Sequence, residues 1–578
     1  MAETQEELAI RVRELQKEVD RLHAQLKEKR FGLTWIDVPE AFEQESENRI
    51  PVLEEVPELA IHNHDGKPTH ILIEGDNYHA LTCLNYTHRG KVDVIYIDPP
   101  YNTGNDGFTY RDKRYLEEYP DGTPIDKQHP LRHSAWLSFI SKRLILAKDL
   151  LSDKGLIFIS IDENELARLR LLGDDVFSPD NFVGQWNWFK SATPPALSKK
   201  IKRNIEYVLC WQKGHNTETF RGVKKTSCSN DPFTKPQNSF KTLSFPKGSI
   251  TCKLDDGIYP AGTYGTEKFP NELLDDLIVL DGKNKNEIRF KNRFIWLQET
   301  LFENINKGLY IELSKRMVLS YKRTDYAPEI PPNLIDMSVG VDTTENAGRQ
   351  LTELFSGEKV FDYPKPISLL QYILHFSQNK NITVLDFFAG SGTTMHATMQ
   401  LNAEDGGHRQ CILCQINEAD ICKDVTYERN RRVIQGYTDS RGNDIPGLGN
   451  SLKYYRTAFV GKNQPKAATD DDKLTLARKA GCLLSLAENT LYETETTDYY
   501  QMFTDERNRW TCIYFQEDYS CFEEFRKKVV GLEGRQKSVY VFCWTDGAEF
   551  ATEFEYDKEV TVKSIPQPIL DIYKSLNA

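Results

Sequence analysis

Hydrophobic residues are spaced as in a helix at the start of the chain. They recur there at alternating intervals of four and three residues, the a/d pattern of a coiled coil, at Leu8, Val12, Leu15, Val19, Leu22 and Leu26. Thr4 and Glu7 form a capping box before this pattern, and Gly32 follows it as a stop signal. We predict a helix over residues 1–32 that either associates with a second copy or packs on its own chain.

Further along, the pattern alternates between buried strands and helices. Residues 92–97 form a β-branched apolar run that is typical of a buried parallel strand. A helical spacing of apolar residues follows over 136–151, and a second strand-like run follows over 155–161. The alternation returns later as a helix, a strand, a glycine-rich turn, a helix and a strand, between residues 367 and 416. This order predicts one α/β sheet that is interrupted and then resumed.

The interruption is a long segment of different character. Between residues 189 and 346 the chain has short strand-like runs, Pro and Gly turns and basic loops, with aromatic residues among them: Phe233, Phe240, Phe245, Tyr259 and Tyr264. At 578 residues the chain exceeds what one hydrophobic core organises. We therefore predict five parts, which are the helix 1–32, a sheet domain divided into 33–188 and 347–450, the insertion 189–346, and a mixed α+β C-terminal domain over 451–578.

Composition indicates a globular protein of a reducing compartment. The chain is 39% hydrophobic and 28% charged, with no apolar run near the ~18 residues that span a bilayer. Its charged, heptad-like start is unlike a secretory signal. Eleven scattered cysteines suggest reduced thiols rather than a disulfide framework. We expect a cytoplasmic protein without membrane association.

Charge is distributed unevenly along the chain. The net charge is −13, yet residues 189–250 carry twelve Lys or Arg and three acids, a net charge of +9, so the remainder carries −22. Such asymmetry is typical of a local phosphate-binding surface on an acidic body, and equally of a solvated loop face.

The first candidate for chemistry is Asp98-Pro99-Pro100-Tyr101, at the end of the strand 92–97, where α/β sheets place ligands. An exocyclic base amine such as adenine N6 is a poor nucleophile because its lone pair is delocalised into the ring. The Asp98 carboxylate and a carbonyl held by the proline pair are suited to accept its two hydrogens, and Tyr101 is suited to stack on an extruded base. The alternative is an Asp-Pro-Pro turn that only ends a strand.

The second candidate is the run Asp386-Phe387-Phe388-Ala389-Gly390-Ser391-Gly392-Thr393-Thr394, between a strand and a helix. Gly390 and Gly392 allow a tight turn that approaches a ligand, and amides at the helix start bind polar or anionic groups. The run is neither a Walker A loop nor a dinucleotide fingerprint. Two glycines alone are also typical of an ordinary strand-to-helix turn.

Metal-ligand patterns are weak. Cys411 and Cys414, with Cys422 nearby, lie in a strand-like apolar run without a second pair, which favours buried thiols. Four histidines lie in polar loops without metalloprotease spacing and are interpreted as surface residues, namely His62, His64, His129 and His133.

The order of the two candidate motifs resembles the amino-methyltransferases of bacterial DNA, in the permuted arrangement that places the catalytic motif before the cofactor motif. Supporting stretches are residues 73–77 (IEGDN), 361–366 (FDYPKP) and the strand that ends at Gln415. The Asn102-Thr103-Gly104 extension and the segments 136–161 and 452–457 more specifically resemble modification subunits of type III restriction systems. The resemblance covers most of residues 60–460.

The resemblance implies a Rossmann-like α/β sheet that binds S-adenosyl-L-methionine, with the insertion as target-recognition domain for double-stranded DNA. By this resemblance, Phe388, Gly390 and Gly392 line the methionine part of the cofactor with Asp386 and Thr393 nearby, and Asp76 contacts its adenine. The full cofactor set it implies is Asp76, Asn77, Phe361, Lys365, Asp386, Phe388, Ala389, Gly390, Ser391, Gly392, Thr393 and Gln415. Many relatives have a ribose-binding acid where this chain has Gln415, with Glu418 three residues on.

The resemblance also implies the reaction and the partners. We expect target recognition, base flipping and methylation of adenine N6 at Asp98, Pro99, Pro100 and Tyr101. For DNA contacts we expect the basic residues of the insertion, Lys199, Lys200, Lys202, Arg203, Lys224 and Lys225. A homodimer and a restriction subunit with helicase and nuclease activity are the expected partners.

Two alternatives remain at this point. The first is cytosine N4 methylation, in which Ser usually replaces Asp in the enzymes that the chain resembles. The second is a recognition subunit whose main role is to assemble a nuclease complex.

Overall fold

The computed structural model describes residues 11, 33–39, 49–104, 112–119, 122–193, 200–222, 230–266, 269–323, 329–544 and 548–576. The predicted coiled coil lies outside the described residues except for Arg11, which is helical. Within the described ranges, no helix has the length and apolar character that crossing a membrane requires. The chain divides into two compact units, one of residues 1–218 and 332–578 and one of residues 219–331.

The first stretch of the larger unit alternates strands and helices as the sequence pattern predicts. Its elements are β1 (Ile50–Glu55), β2 (Thr69–Glu74), α1 (Asn77–Thr87), β3 (Val92–Ile97), α2 (Ser134–Leu150), β4 (Leu151–Ile161), α3 (Leu166–Phe177), β5 (Phe182–Phe189) and β6 (Ile205–Gln212).

The smaller unit is built almost entirely of short strands. Its elements are β7 (Asp231–Pro232), β8 (Lys241–Phe245), β9 (Ile250–Cys252), β10 (Gly257–Tyr259), β11 (Gly262–Thr266), β12 (Phe269–Leu273), β13 (Leu277–Leu280), β14 (Lys283–Asn284), β15 (Ile288–Asn292), α4 (Gln298–Asn306), β16 (Tyr310–Leu313) and β17 (Leu319–Lys322). They form a seven-stranded sheet in the order β10-β13-β14-β9-β16-β17-β7 and a four-stranded sheet in the order β11-β12-β15-β8. Phe233 and Phe245 lie in the core of this unit, whereas Phe240 is exposed.

The larger unit resumes with the second half of the alternation. Its elements are β18 (Leu334–Ile335), α5 (Thr344–Leu354), α6 (Ile367–Leu374), β19 (Thr383–Asp386), α7 (Thr393–Asp405), β20 (Gln410–Gln415), a π-helical segment (Ile421–Tyr427) that runs into α8 (Glu428–Gln435), β21 (Gly436–Thr438), β22 (Asp444–Pro446) and β23 (Ser451–Val460).

The C-terminal region carries a sheet of its own. Its elements are α9 (Asp470–Lys479), α10 (Gly481–Glu488), β24 (Tyr492–Thr496), β25 (Tyr500–Thr504), β26 (Arg509–Tyr514), α11 (Phe522–Gly531), β27 (Gln536–Phe542), α12 (Ala548–Ala551), β28 (Val560–Ile565) and α13 (Gln567–Leu576). The five strands lie in chain order, with antiparallel pairing up to β26 and parallel pairing after it.

One ten-stranded sheet organises the larger unit, in the order β1-β23-β2-β20-β19-β3-β4-β6-β5-β18. The six strands from β23 to β4 are parallel. Residues 94–97 of β3 are all buried, so both faces of the sheet are covered there. Because Val384 of β19 pairs with Val94 of β3, the two candidate motifs follow neighbouring parallel strands.

Three predicted boundaries are wrong. The sequence pattern predicts the insertion at 189–346, but β6 pairs with β4 and β18 pairs with β5, so residues 205–212 and 334–335 belong to the large sheet. It predicts the C-terminal domain at 451–578, but β23 pairs with both β1 and β2. In each case a strand beyond the predicted boundary pairs with strands of the large sheet, and hydrophobic pattern alone does not reveal such pairing.

Candidate active site

A cavity of about 680 Å³ opens at the carboxyl edge of the parallel strands. It is lined by residues that follow β2, β3, β19 and β20, which are neighbours in the sheet. Thirteen of the predicted catalytic and cofactor residues line it: Asp76, Asn77, Asp98, Pro100, Phe361, Lys365, Asp386, Phe388, Ala389, Gly390, Ser391, Thr393 and Gln415. Pro99, Tyr101 and Gly392 are outside this lining but adjoin it in the chain.

The glycine turn between β19 and α7 needs its glycines for geometric reasons. Gly390 and Gly392 have φ values of 50° and 76°, in the left-handed region that side chains disfavour. A Cβ on Gly392 would lie 2.5 Å from the Asn430 side chain. The Gly390 amide donates to Oε1 of Gln415 at 2.8 Å, which ties the turn to the end of β20.

A buried cation lies beneath this turn. Arg429 of α8 donates through Nη1 to the hydroxyls of Ser391, at 3.0 Å, and Thr393, at 2.6 Å. Burial lowers its pKa to about 9. No carboxylate among the described residues pairs with this guanidinium, so the start of α7 combines its own dipole with an uncompensated positive charge.

Asp386 ends β19 at the floor of the cavity. It accepts hydrogen bonds from the Thr394 hydroxyl at 2.5 Å and the Phe388 amide at 3.0 Å. Burial raises the pKa of Asp386 to about 7, and the two hydrogen bonds oppose the rise without cancelling it.

At the end of β2, an arginine that the sequence reading missed holds the loop. Gly75 has a φ of 148°, and a Cβ there would overlap the Thr457 side chain. Asp76 then begins α1, where its carboxylate accepts from the fully buried Arg143 at 3.2 Å. Arg143 also donates to the side-chain oxygen of Asn77. The predicted cofactor residues Asp76 and Asn77 are thereby fixed at the cavity wall.

Asp98 is engaged at both oxygens. The Tyr101 hydroxyl donates to Oδ1 at 2.7 Å, and the Lys365 ammonium donates to Oδ2 at 2.7 Å. Burial raises the pKa of Asp98 above its ordinary value, and the Lys365 charge opposes this rise. Burial and the nearby carboxylates also raise the pKa of Tyr101 well above its ordinary value, so its hydroxyl stays protonated and donates.

A second acid, which the sequence reading missed, lies beside this pair. Glu206 of β6 is 8% exposed, and its Oε2 lies 3.2 Å from the Tyr101 hydroxyl and 3.5 Å from Nζ of Lys365. Its Oε1 accepts from Lys190 at 2.9 Å. Burial alone would raise the pKa of Glu206, but the charges of Lys365 and Lys190 lower it overall. We call these five residues, Asp98, Tyr101, Lys190, Glu206 and Lys365, the Asp98 cluster.

The Tyr-Asn-Thr extension is held by a buried carboxylate. Asp112 accepts from the amides of Tyr101 at 3.0 Å, Asn102 at 3.2 Å and Thr103 at 2.7 Å, and from the Thr103 hydroxyl at 2.7 Å. Asn102 adopts a φ of 58° and is fully buried. Its side chain donates to the buried Glu165 at 2.7 Å. The backbone that carries Tyr101 therefore has one defined conformation.

Helix α2 supports the proline turn from below. Trp136 is fully buried, and its indole N–H donates to the Pro100 carbonyl at 2.7 Å. The apolar spacing over 136–151 predicts a helix at Trp136 but assigns this residue no role at the site.

The predicted DNA-binding residues are only partly described. Lys199, Lys224 and Lys225 lie outside the described residues, whereas Lys200, Lys202 and Arg203 are exposed. Arg203 pairs with Glu163 at 2.7 Å.

Two of the twelve cations of residues 189–250 are engaged within the larger unit rather than free for a phosphate surface. Lys190 belongs to the Asp98 cluster, and Lys213 donates to the backbone carbonyl of Leu151 at 2.6 Å. Charge counted along the sequence therefore combines cations that pair with internal acceptors and cations that are exposed to solvent.

The cysteines and histidines considered as metal ligands lie outside the cavity lining. Cys411, Cys414 and Cys422 are buried, as interpreted from the sequence, and burial raises the pKa of all three thiols. His62 and His64 are exposed, as interpreted, and both approach Glu506.

Comparison with known proteins agrees with this arrangement. Residues 92–424, more than half of the chain, match the model of a DNA methylase family, the N6/N4 methyltransferases. The chain is 33% identical to the StyLTI Mod subunit, a type III restriction-modification enzyme of Salmonella typhimurium, over 74% of this chain and 66% of that protein. It is 30% identical to the type II methyltransferase M.KpnI of Klebsiella pneumoniae, over 67% of this chain and 90% of that protein.

A further relative is the type III EcoP15I Mod subunit of Escherichia coli, 28% identical over 64% of this chain and 62% of that protein. The chain thus spans slightly less than two thirds of the length of these two Mod subunits. The family model includes both candidate motifs and the Asp98 cluster. The chain belongs to the family of N6/N4 DNA methylases.

Proposed function

We propose that this protein transfers a methyl group from S-adenosylmethionine to adenine N6 in double-stranded DNA, as the modification and recognition subunit of a type III restriction-modification system. Its membership of the DNA methylase family supports the reaction class, and its similarity to the two type III Mod subunits supports the system. The observation that carries the proposal is the single cavity that the Asp98 turn and the glycine turn line together.

The cavity fits the cofactor. Its volume of about 680 Å³ lies within the range of ordinary small-molecule sites. The start of α7 with Arg429 beneath it suits an anionic carboxylate, Phe361 and Phe388 offer apolar walls, and Asp76 offers an acceptor. When bound, S-adenosylmethionine supplies the methyl group on a sulfonium, which is an electrophilic centre.

The residues of the chain then prepare the amine. Asp98 and the Pro99 carbonyl accept the two amine hydrogens, which favours a pyramidal nitrogen with an available lone pair. The carboxylate also stabilises the positive charge that develops on the amine. Tyr101 stacks on the extruded base. An Asp at position 98 favours adenine over cytosine as the target.

DNA recognition and assembly are assigned to the remaining parts. The compact unit of residues 219–331 is proposed to recognise the target sequence, with phosphate contacts from its Lys224 and Lys225 and from the preceding residues Lys199, Lys200, Lys202 and Arg203. The helix 1–32 is proposed to join two copies of the chain. The chain contains no Walker A sequence, so a helicase and nuclease partner would supply any ATP-driven step.

Single-molecule methylation mapping of DNA from cells that express the protein tests this proposal. We expect N6-methyladenine at one sequence motif, and we expect it to disappear in Asp98→Asn. Asp153→Asn is the matched control, because Asp153 is exposed near the start of β4, at the opposite edge of the sheet. N4-methylcytosine would refute the choice of base. Sequence-specific binding without any methylation would favour a recognition subunit of a nuclease complex.

A further inference from the structure

The Asp98 cluster has a feature that the proposed reaction does not use. Both oxygens of Asp98 already hold donors, with the Tyr101 hydroxyl at Oδ1 and Lys365 at Oδ2. Each oxygen retains a second lone pair, but an amine at Asp98 shares the carboxylate with these two donors and is accepted more strongly when one of them turns away. Lys365 has three N–H donors and carries the countercharge, whereas the tyrosine has a single O–H proton. Tyr101 is the donor that can leave Asp98 without separating an ion pair.

Glu206 lies where the released hydroxyl can go. The Tyr101 oxygen lies 2.7 Å from Asp98 Oδ1 and 3.2 Å from Glu206 Oε2, so one proton faces two acceptors. Rotation of the O–H bond moves the hydrogen bond from one carboxylate to the other without displacing a heavy atom. Because the pKa of Tyr101 is raised well above its ordinary value, the hydroxyl keeps its proton and remains a donor to one of the two carboxylates.

Lys190 keeps Glu206 ready as an acceptor. It donates to Oε1 at 2.9 Å and leaves Oε2, the oxygen that faces Tyr101 and Lys365, turned toward the cluster. The two ammonium groups hold the pKa of Glu206 below its ordinary value in spite of burial, so the carboxylate is ionised at neutral pH. A buried acid without such partners would be costly to keep in this position.

We propose that Glu206 is a positioning residue that accepts the Tyr101 hydroxyl when the target base enters, and so frees Asp98 Oδ1 for the exocyclic amine. This inference rests on the proposed function, since it assumes an amine at Asp98. Without Glu206, the amine would compete with the charge-assisted hydrogen bond from the Tyr101 hydroxyl to Asp98. Among the described residues, no other contact of this hydroxyl offers it an acceptor.

A double-mutant cycle between Glu206 and Tyr101 tests this transfer of the Tyr101 hydrogen bond from Asp98 to Glu206, which we call the handover. The assay measures single-turnover methylation, at saturating S-adenosylmethionine, of a duplex that carries the motif mapped for the wild-type protein. We expect Glu206→Ala to slow methylation about 10- to 100-fold, the equivalent of one charge-assisted hydrogen bond. In a Tyr101→Phe background no hydroxyl competes for Asp98, so the same substitution should cost less than twofold. Glu206→Gln retains an acceptor oxygen and should recover most of the loss.

Three controls separate positioning from collapse of the site. Calorimetric affinity for S-adenosylmethionine should be unchanged in Glu206→Ala. Glu218→Ala, which removes an exposed acid paired with Lys154, should methylate at the wild-type rate. A duplex with 2-aminopurine at the target position lacks the 6-amino group, so its fluorescence increase on binding should be the same for wild type and Glu206→Ala.

The outcomes distinguish the two levels of the proposal. An equal cost of Glu206→Ala in the wild-type and Tyr101→Phe backgrounds, or no cost in either, overturns the handover while the proposed function stands. A Glu206→Gln variant as slow as Glu206→Ala also overturns it, because charge rather than hydrogen-bond acceptance would then be required. If the wild-type protein methylates no DNA, the proposed function itself fails.

Discussion

Asp112 is the group whose removal should most directly disturb the loop that presents Tyr101. It is 2% exposed and collects three consecutive backbone amides, of Tyr101, Asn102 and Thr103, together with the Thr103 hydroxyl. Asp112→Asn preserves the shape of the side chain but replaces one accepting oxygen with an NH₂ group. The Thr103 hydroxyl can rotate to accept from that group, but at least one backbone amide then loses its acceptor.

The expected cost follows from this count. A hydrogen bond to a charged group contributes about 1.5–3 kcal/mol, so we expect the loop to open more easily by about 2–3 kcal/mol. In the peptide that contains residues 101–103, amide hydrogen exchange measured by mass spectrometry should accelerate roughly 30- to 150-fold. Methylation should slow more than tenfold, because Tyr101 loses its fixed orientation.

A matched substitution in the same region isolates the effect. Asp126 is exposed, and its side chain accepts from a local amide, that of Gln128 at 2.8 Å, so Asp126→Asn should change exchange and turnover by less than threefold. If Asp112→Asn also leaves both quantities within threefold of wild type, the conclusion that Asp112 orders the Tyr101 loop is incorrect.

Two further predictions concern the glycine turn. Gly392 and Gly406 flank α7 and both have left-handed φ values, of 76° and 67°, but only Gly392 has close neighbours, with Asn430 Nδ2 2.5 Å from a built Cβ. Gly406→Ala should therefore lower the free energy of unfolding by about 1–2 kcal/mol from backbone strain alone. Gly392→Ala should lower the melting temperature further and weaken the affinity for the cofactor, measured by calorimetry. Equal melting temperatures for the two variants would contradict this. Burial raises the pKa of Asp386 to about 7, so between its unfolded value and about pH 7 the folded protein binds more protons than the unfolded chain. The buried charge thus destabilises the cofactor-free protein above pH 7, and this penalty is relieved as the pH falls. The melting temperature of Asp386→Asn should therefore exceed that of wild type most at pH 8 and approach it by pH 5. A difference in melting temperature that is independent of pH would show that Asp386 does not titrate in this range.

The centre of the site could be predicted because it depends on local rules. The hydrophobic run 92–97 ends directly at Asp98, and the run before Asp386 leads directly into the glycine turn. Carboxyl ends of parallel strands meet at one sheet edge, so two motifs on such strands are brought together whatever the length of chain between them. The pairing of Val384 with Val94 realises this expectation across 290 residues of sequence.

The support around the centre could not be predicted, because it depends on register between distant strands. Glu206 reaches Tyr101 because β6 pairs antiparallel with β4, with Tyr207 opposite Ile161. From the sequence alone, Glu206 is one of three acids in a basic segment and Lys190 is one of its twelve cations. A useful signal would have been that an acid within an apolar strand pattern is costly to bury and therefore points to buried partners.

Gln415 contacts the backbone through both ends of its amide group. Its Oε1 accepts from the Gly390 amide at 2.8 Å, while its Nε2 donates to the carbonyl of Ile416 at 3.0 Å. This position therefore requires an acceptor and a donor on one planar group, which an amide provides and a carboxylate does not. Gln415 lines the cavity chiefly as the group that holds the glycine turn in shape. Glu418 also lines the cavity, three residues further on, so a carboxylate is present at the turn that follows the strand.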